Sequence, residues 1–112
     1  MFKGDSLILN NMDKAQQRKS TPVFTGFMCY FPRAIRYVAQ VSLAGNKQHH
    51  EDKPLHWDMS KSTDEKDALA RHLLDVAQGV DTDDDDILHA GKVAWRAMAN
   101  LERTLIALEK EL

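Results

Sequence analysis

The sequence lacks several features that define specialised classes of protein. It contains a single cysteine, Cys29, which excludes a disulfide within the chain and a zinc site built from cysteines. No apolar run approaches the ~18 residues of a membrane-spanning helix, and residues 1–6 lack the apolar stretch of a secretory signal. These absences predict a cytoplasmic protein that does not associate with a membrane.

The small net charge conceals an uneven distribution along the 112 residues. Residues 1–50 carry seven Lys and Arg against two Asp, a balance of +5, whereas residues 51–112 carry eight against fifteen Asp and Glu, a balance of −7. This acidic second part argues against extended contact with nucleic acid. All five histidines lie in or beside it, at His49, His50, His56, His72 and His89.

Three segments have the hydrophobic periodicity of α-helices. A proline at the first position and a glycine just past the end favour a first helix from Pro32 to about Ala44, with Gly45 as its stop. A capping box, in which Ser62 bonds forward and Glu65 reaches back, favours the start of the second. An apolar stripe marks the third. The predicted helices cover residues 32–44, 63–78 and 87–112.

The fold class predicted from these segments is all-α, a small helical bundle of about three helices with long polar loops. Residues 1–21 are predicted to be a flexible N-terminal arm and residues 22–112 a single domain. The aromatic segment 23–31 fits either a short strand or an irregular hydrophobic plug. Three helices leave apolar surface uncovered, so we expect a homodimer or homotetramer.

The second helix places acids and a histidine beside its predicted buried arc. His72 lies at the edge of that arc with Asp75 three residues on, and Asp64 and Glu65 continue the same edge. Such a seam could hold a divalent cation. Alternatively, Asp75 simply orients a half-buried His72, and the two other acids favour the helix N-terminus. The predicted arc consists of Leu69, Leu73, Val76 and Ala77.

The third helix opens with a group suited to phosphate. His89 lies in its first turn, with Lys92 and Arg96 on the same face, and helix N-termini favour anions. The alternative is a solvated cationic face. The preceding aspartate run, residues 81–86, lacks the glycine and terminal glutamate of a calcium loop. Most of its charges are expected to be solvated, although one or two could reach a metal held by His72 or His89.

The loop after the first helix combines groups that suit a nucleotide. Trp57 can stack on a base beside Asn46, while Lys47 or Lys61 can bind phosphate. Two other interpretations stay open, a histidine-rich loop that binds metal adventitiously and a buried Trp57 that anchors the loop.

Five short segments, taken in order, resemble a known family: GNKQH at 45–49, PLHWD at 54–58, KSTD at 61–64, DALARHL at 67–73 and HAGKVAWRA at 89–97. Together they resemble the phage-associated dATP/dGTP diphosphohydrolase-like proteins, which are related to the MazG-type nucleotide pyrophosphohydrolases. The resemblance extends over roughly residues 22–109. One departure is clear, because the Glu-Glu-x-x-Glu and Glu-x-x-Asp helices of MazG enzymes are absent from this sequence.

The resemblance implies an all-α assembly that hydrolyses a purine deoxynucleoside triphosphate to the monophosphate and pyrophosphate with Mg²⁺ or Mn²⁺. If the protein is phage-encoded, it would act in the host cytoplasm. The positions that match the family are Asn46, Trp57, Arg71, His72, an aspartate of the 81–86 loop and His89.

The site hypothesis assigns three roles. Catalysis is assigned to His72, Asp75 and His89, and metal binding to Asp64, Glu65, His72, Asp75 and His89. Nucleotide binding is assigned to Asn46, Lys47, Trp57, Lys61, Arg71, Lys92 and Arg96. Two other classes remain open: a non-catalytic nucleotide-binding or phage accessory protein, which the missing glutamate motifs favour, and a structural virion or DNA-binding protein.

Overall fold

A computed structural model describes residues 12–49, 52–60 and 63–110 of the chain. Over these residues the protein is helical, and its one β-type pairing is an isolated bridge between Thr82 and Leu88. The elements in chain order are α1 (Lys14–Lys19), a π-helical turn (Phe24–Met28), α2 (Pro32–His49), α3 (Glu65–Ala77) and α4 (His89–Lys110). The predicted all-α fold is therefore confirmed. No helix in the described ranges is long and apolar enough to cross a membrane.

The chain divides into two units, and the candidate site belongs to one of them. The unit from Arg33 to Asn100 contains nearly all of α2, all of α3 and the first half of α4. The other combines the residues up to Pro32 with those from Leu101 onward. The division into an arm and a domain at residue 21 remains a prediction.

In the unit that includes Pro32, the described residues start with the short helix α1, and an aromatic turn follows it. Helix α1 begins with a capping box. The Asp13 side chain accepts a hydrogen bond from the Gln16 amide at 2.8 Å, and the Gln16 side chain accepts one from the Asp13 amide at 3.1 Å. The aromatic segment is a π-helical turn, so the strand alternative is wrong. The rings of Phe24 and Tyr30 are largely exposed.

Helix α2 runs one turn further than the sequence predicts, which makes Gly45 an internal residue rather than the helix stop. Tertiary contacts stabilise the added turn. The side-chain oxygen of buried Asn46 accepts a hydrogen bond from the His56 amide at 3.3 Å, and the Gln48 amide group donates to Asp85 at 3.1 Å. These contacts outweigh the intrinsic cost of ~1 kcal/mol for a glycine inside a helix.

The start of α3 also differs from the prediction. The helix begins at Glu65 with Asp64 as its N-cap, two residues later than predicted, and Ser62 of the predicted capping box lies outside the described residues. The Glu65 carboxylate meets the Arg96 guanidinium of α4 at 3.3 Å. That pairing explains how a glutamate can be only 2% exposed in the first turn of a helix.

The inward face of α3 is rotated relative to the predicted arc. Glu65 and Ala68 are its buried residues, whereas Leu73 is 52% exposed. Polar partners on α4 explain the rotation, because Arg96 pairs with Glu65 and His89 contacts His72. The side chain of Ala68 is small enough to lie between these two contacts. The edge predicted to flank the core is therefore the face that packs inward.

Helix α4 begins at His89, two residues after the predicted start. Its buried residues are His89, Gly91 and Ala99, and the predicted apolar stripe stays half exposed at Met98 and Leu101. The exposure of Met98 and Leu101 is consistent with subunit pairing, but the homodimer or homotetramer remains a prediction.

Gly91 marks a close contact between α2 and α4. A Cβ at this position would lie 2.6 and 2.7 Å from two ring carbons of Tyr37. The Tyr37 hydroxyl accepts a hydrogen bond from the Leu88 amide at 2.9 Å, just before α4 begins. The absence of a side chain at Gly91 thus lets the tyrosine fix the start of α4.

Two glycine substitutions in helices should have opposite effects on stability. We expect Gly91→Ala to lower the free energy of unfolding by about 1–3 kcal/mol, because the added methyl group overlaps the Tyr37 ring. Gly45→Ala should raise it by up to about 1 kcal/mol, because no described atom lies within 4 Å of the new Cβ and alanine favours the helix. Urea denaturation followed by circular dichroism measures both. Equal effects would contradict the close α2–α4 contact.

Candidate active site

A cavity of about 660 Å³ opens within the unit from Arg33 to Asn100. Its walls come from the end of α2, the loop around residues 56–58, α3, the aspartate loop and the first turns of α4. Six of the predicted site residues line it: Asn46, Trp57, Asp64, His72, Lys92 and Arg96. The volume lies within the range typical of small-molecule sites.

Two imidazole rings meet at the wall of this cavity. The Nδ1 atoms of His72, from α3, and His89, from α4, are 2.8 Å apart. His89 is 3% exposed, and its Nε2 lies 3.5 Å from an Asp75 carboxylate oxygen. Asp83 completes a group in which one ligand atom each from His72, His89 and Asp83 lie within 4.8 Å of one another. The structure thus brings together two nitrogen donors and one oxygen donor.

The surroundings of His72 favour its neutral form. Partial burial lowers the pKa of this imidazole, and the positive charge of Lys92 lowers it further, although the Asp83 carboxylate opposes the shift. A neutral imidazole offers one ring nitrogen as an acceptor of a proton or as a metal ligand.

Lys92 holds the aspartate loop against α4. Its ammonium lies 2.7 Å from Asp83 Oδ2 and 2.7 Å from Asp85 Oδ2, and Gln48 of α2 also donates to Asp85. The loop bends back at Asp86, which has a φ of 64°. Most of the loop charges are exposed, as expected, and the two that contact the Lys92 ammonium are Asp83 and Asp85.

We call the contacts of Lys92 with Asp83 and Asp85 the clamp. The pKa values of all three groups shift in the direction that favours their charged forms. Partial burial disfavours ionised Asp85, but hydrogen bonds from Lys92, Gln48 and the Ile87 amide outweigh it and lower the pKa to about 2. Hydrogen bonds from Lys92 and from the Asp84 amide likewise lower the pKa of Asp83. Burial opposes the charge of Lys92, yet both carboxylates raise its pKa.

A second polar group connects α3 and α4 to the loop around residues 56–58, which contains Trp57. The Arg96 guanidinium pairs with Glu65 and lies 5.6 Å from the centre of the Trp95 ring. Trp57 packs edge-to-face on Trp95, with the ring centres 5.6 Å apart. Trp57 is half-buried there, which agrees with its predicted role as an anchor of the loop and still leaves it at the cavity wall.

A comparison with protein-family models gives one match, described as dATP/dGTP diphosphohydrolase, N-terminal, over residues 11–111. The chain belongs to this family. No curated protein and no solved structure matches it.

In this member of the diphosphohydrolase N-terminal family, the structure unites only some of the predicted metal ligands. His72, Asp75 and His89, which the site hypothesis assigns to one centre, lie in one cluster. Glu65 pairs with Arg96 instead, and Asp64 lies 3.8 Å from Arg71 with both side chains exposed. Arg71, which the sequence predicts to bind the nucleotide, thus lies beside the Asp64 carboxylate.

The other predicted nucleotide ligands have different surroundings. Asn46, Trp57, Lys92 and Arg96 line the cavity, and Lys47 is exposed near the end of α2. Lys61 lies outside the described residues. The structure does not test any of these binding roles, which stay predictions.

Sequence reasoning missed four residues that shape this site in the family member: Tyr37, Gln48 and, as individual residues, Asp83 and Asp85. The aspartate run was a signal for the last two, since a lysine follows one turn into the next helix. Which two of five aspartates meet that lysine depends on the backbone of the loop. Gln48 was missed because α2 was predicted to end before it.

The clamp predicts a specific acid titration. The pKa of Asp85 is lowered from 3.8 to about 2, so its contribution to stability is present above about pH 4 and is lost as the pH falls towards 2. In Lys92→Met we expect the Asp85 carboxyl to titrate close to its ordinary value, and the acid unfolding midpoint to move to higher pH. Carbon-detected NMR of the side-chain carboxyls measures the first, and circular dichroism the second. An unchanged Asp85 titration would show that Lys92 does not hold this loop.

Proposed function

We propose that this protein hydrolyses purine deoxynucleoside triphosphates, dATP or dGTP, to the monophosphate and pyrophosphate in a reaction that depends on a divalent metal ion, Mg²⁺ or Mn²⁺. The observation that carries the proposal is the meeting of His72, His89 and Asp83 at a cavity of nucleotide size. Membership of the dATP/dGTP diphosphohydrolase N-terminal family supports the substrate class.

The charge of the cavity wall supports the need for a cation. Four aspartates and two cationic side chains line it, a balance of −2 with histidines neutral: Asp58, Asp64, Asp83, Asp85, Lys92 and Arg96. A triphosphate is itself strongly negative, so this wall would repel it without an additional positive charge.

The residues present fit a divalent ion. His72 and His89 offer imidazole nitrogens, and Asp83 offers a carboxylate oxygen, within one small group. When bound there, such an ion would neutralise charge on the phosphate oxygens and lower the pKa of an attacking water.

The remaining residues would bind and orient the substrate. Lys92 and Arg96 face the cavity and would contact the phosphate chain in exchange for part of their contacts with carboxylates. Asn46, near the end of α2, and Trp57, in the loop around residues 56–58, are the candidates for contact with the base. Water then attacks the α-phosphorus and loses a proton to the surrounding water, the bond from that phosphorus to the bridging oxygen breaks, and pyrophosphate leaves with the electron pair.

A second candidate is a nucleotide-binding module without turnover. Both cationic side chains at the cavity wall already contact carboxylates, and the glutamate motifs of MazG-type enzymes are absent from the sequence. In that function the same cavity would take the nucleotide and release it unchanged.

Product analysis distinguishes the two candidates. Purified protein is incubated with dATP, dGTP, dCTP or dTTP and with Mg²⁺ or Mn²⁺, and monophosphate and pyrophosphate are quantified. We expect turnover of a purine nucleotide, and a loss of at least about 100-fold in kcat/KM for Asp83→Asn, because this change removes a metal-ligand oxygen.

The matched control is Asp86→Asn, which removes the same charge from an exposed position of the same loop and keeps a residue type that tolerates positive φ. It should retain near-normal turnover. Measurable nucleotide binding without turnover of any of the four substrates would overturn the hydrolase and leave the binding module.

A further inference from the structure

The two facing imidazoles are an unusual arrangement for a structural histidine pair. Their Nδ1 atoms point at each other across 2.8 Å, so one ring must donate and the other accept. One ring belongs to α3 and is half-buried, and the other belongs to the first residue of α4 and is buried. An oxygen of Asp83 lies within the same group. Three donor atoms of metal-ligand type therefore converge from three elements.

The spacing of the two nitrogens is close to that of ligands on one metal ion. Two imidazole nitrogens that each lie ~2.1 Å from an ion are ~3.4 Å apart in the tetrahedral geometry that Zn²⁺ prefers. The His72 and His89 Nδ1 atoms, which are 2.8 Å apart, would have to separate by ~0.6 Å to meet this condition. An ion bound by both nitrogens would replace the hydrogen bond between the two rings.

We propose that His72 Nδ1, His89 Nδ1 and one Asp83 oxygen bind a single transition-metal ion of the Mn²⁺ to Zn²⁺ series in preference to Mg²⁺. The donor set decides the class, because imidazole suits transition metals, whereas Mg²⁺ takes oxygen ligands almost exclusively. The purpose of the ion rests on the proposed function, but its binding is measurable without any nucleotide.

Asp75 orients one of the two ligands. Its carboxylate lies 3.5 Å from His89 Nε2, on the opposite side of the ring from Nδ1. A proton on Nε2 faces this carboxylate and leaves Nδ1 as the ring's donor atom, which is the usual arrangement of a metal-binding histidine with its outer carboxylate. Asp75 is therefore a positioning residue and not a ligand.

Lys92 opposes the ion. Its ammonium contacts Asp83 Oδ2 at 2.7 Å, and the Asp84 amide donates to Asp83 Oδ1 at 2.8 Å, so both oxygens of the proposed ligand are engaged. An ion at Asp83 has to share one of these oxygens and is repelled by the nearby ammonium. Lys92 therefore both positions Asp83 and competes with an ion for its oxygens.

The test is a titration of untagged protein with Co²⁺, Zn²⁺, Mn²⁺ and Mg²⁺ in the absence of nucleotide. The protein carries His49→Ala and His50→Ala, which remove the adjacent histidine pair of the loop as a competing site. We expect one Co²⁺ per chain with visible d–d absorption, displacement by Zn²⁺, and no displacement by a hundredfold excess of Mg²⁺. In ¹⁵N NMR, Zn²⁺ should shift the Nδ1 resonances of His72 and His89.

Two variants test the ligands. His72→Ala and Asp83→Asn should each weaken Co²⁺ binding at least tenfold. Lys66→Met, at an exposed position of α3, is the matched control and should leave the affinity unchanged. Circular dichroism checks that each variant is folded, and Asp83→Asn provides a second test if His72→Ala is not.

The outcomes separate this inference from the proposed function. Absence of Co²⁺ and Zn²⁺ binding, equal affinity for Mg²⁺, or Co²⁺ binding that survives both His72→Ala and Asp83→Asn would overturn the metal site. Metal binding at these residues without nucleotide turnover would support the site and overturn the hydrolase. Turnover with Mg²⁺ that is insensitive to His72→Ala would do the reverse.

Discussion

The geometry of the site depends on the ion pairs that Lys92 forms with Asp83 and Asp85. The lysine ammonium meets two carboxylates at 2.7 Å each, in a loop that contains five aspartates within six residues. Without a cation, these carboxylates would repel one another and the loop would not stay folded against α4. The contact with Lys92 helps to hold Asp83 beside the histidine pair, together with the hydrogen bond that the Asp83 amide donates to the Ile87 carbonyl.

The existence of the three long helices could be predicted from the sequence, but their ends could not. Local signals place the end of α2 at Gly45 and the start of α3 after Ser62, and tertiary contacts move both. Buried Asn46 bonds to a loop ten residues later, and buried Glu65 bonds to Arg96 on α4. These partners lie outside the helices whose ends they affect, so the hydrophobic periodicity of each helix does not reveal them.

The site was predictable where one helix carries its residues. His72 and Asp75 share a helical face by their spacing, and His89 lies in the first turn of the next helix. The choice of Asp83 among five aspartates depends on a bend at Asp86 with positive φ, which sequence does not specify for an aspartate. The contribution of Gln48 follows from an extra helical turn that glycine propensity argues against.

The opposed charges of the two halves of the chain do not build this site. Lys92, Arg96, Asp83, Asp85 and Glu65 all belong to the acidic second part, which pairs its own cations with its own acids. The first part contributes neutral groups, the amides of Asn46 and Gln48. Because acids outnumber cations at the cavity wall, the pairing leaves negative charge in excess. In the function we propose, a triphosphate enters this negatively charged site together with a cation, and the group of His72, His89 and Asp83 is the proposed place for that cation.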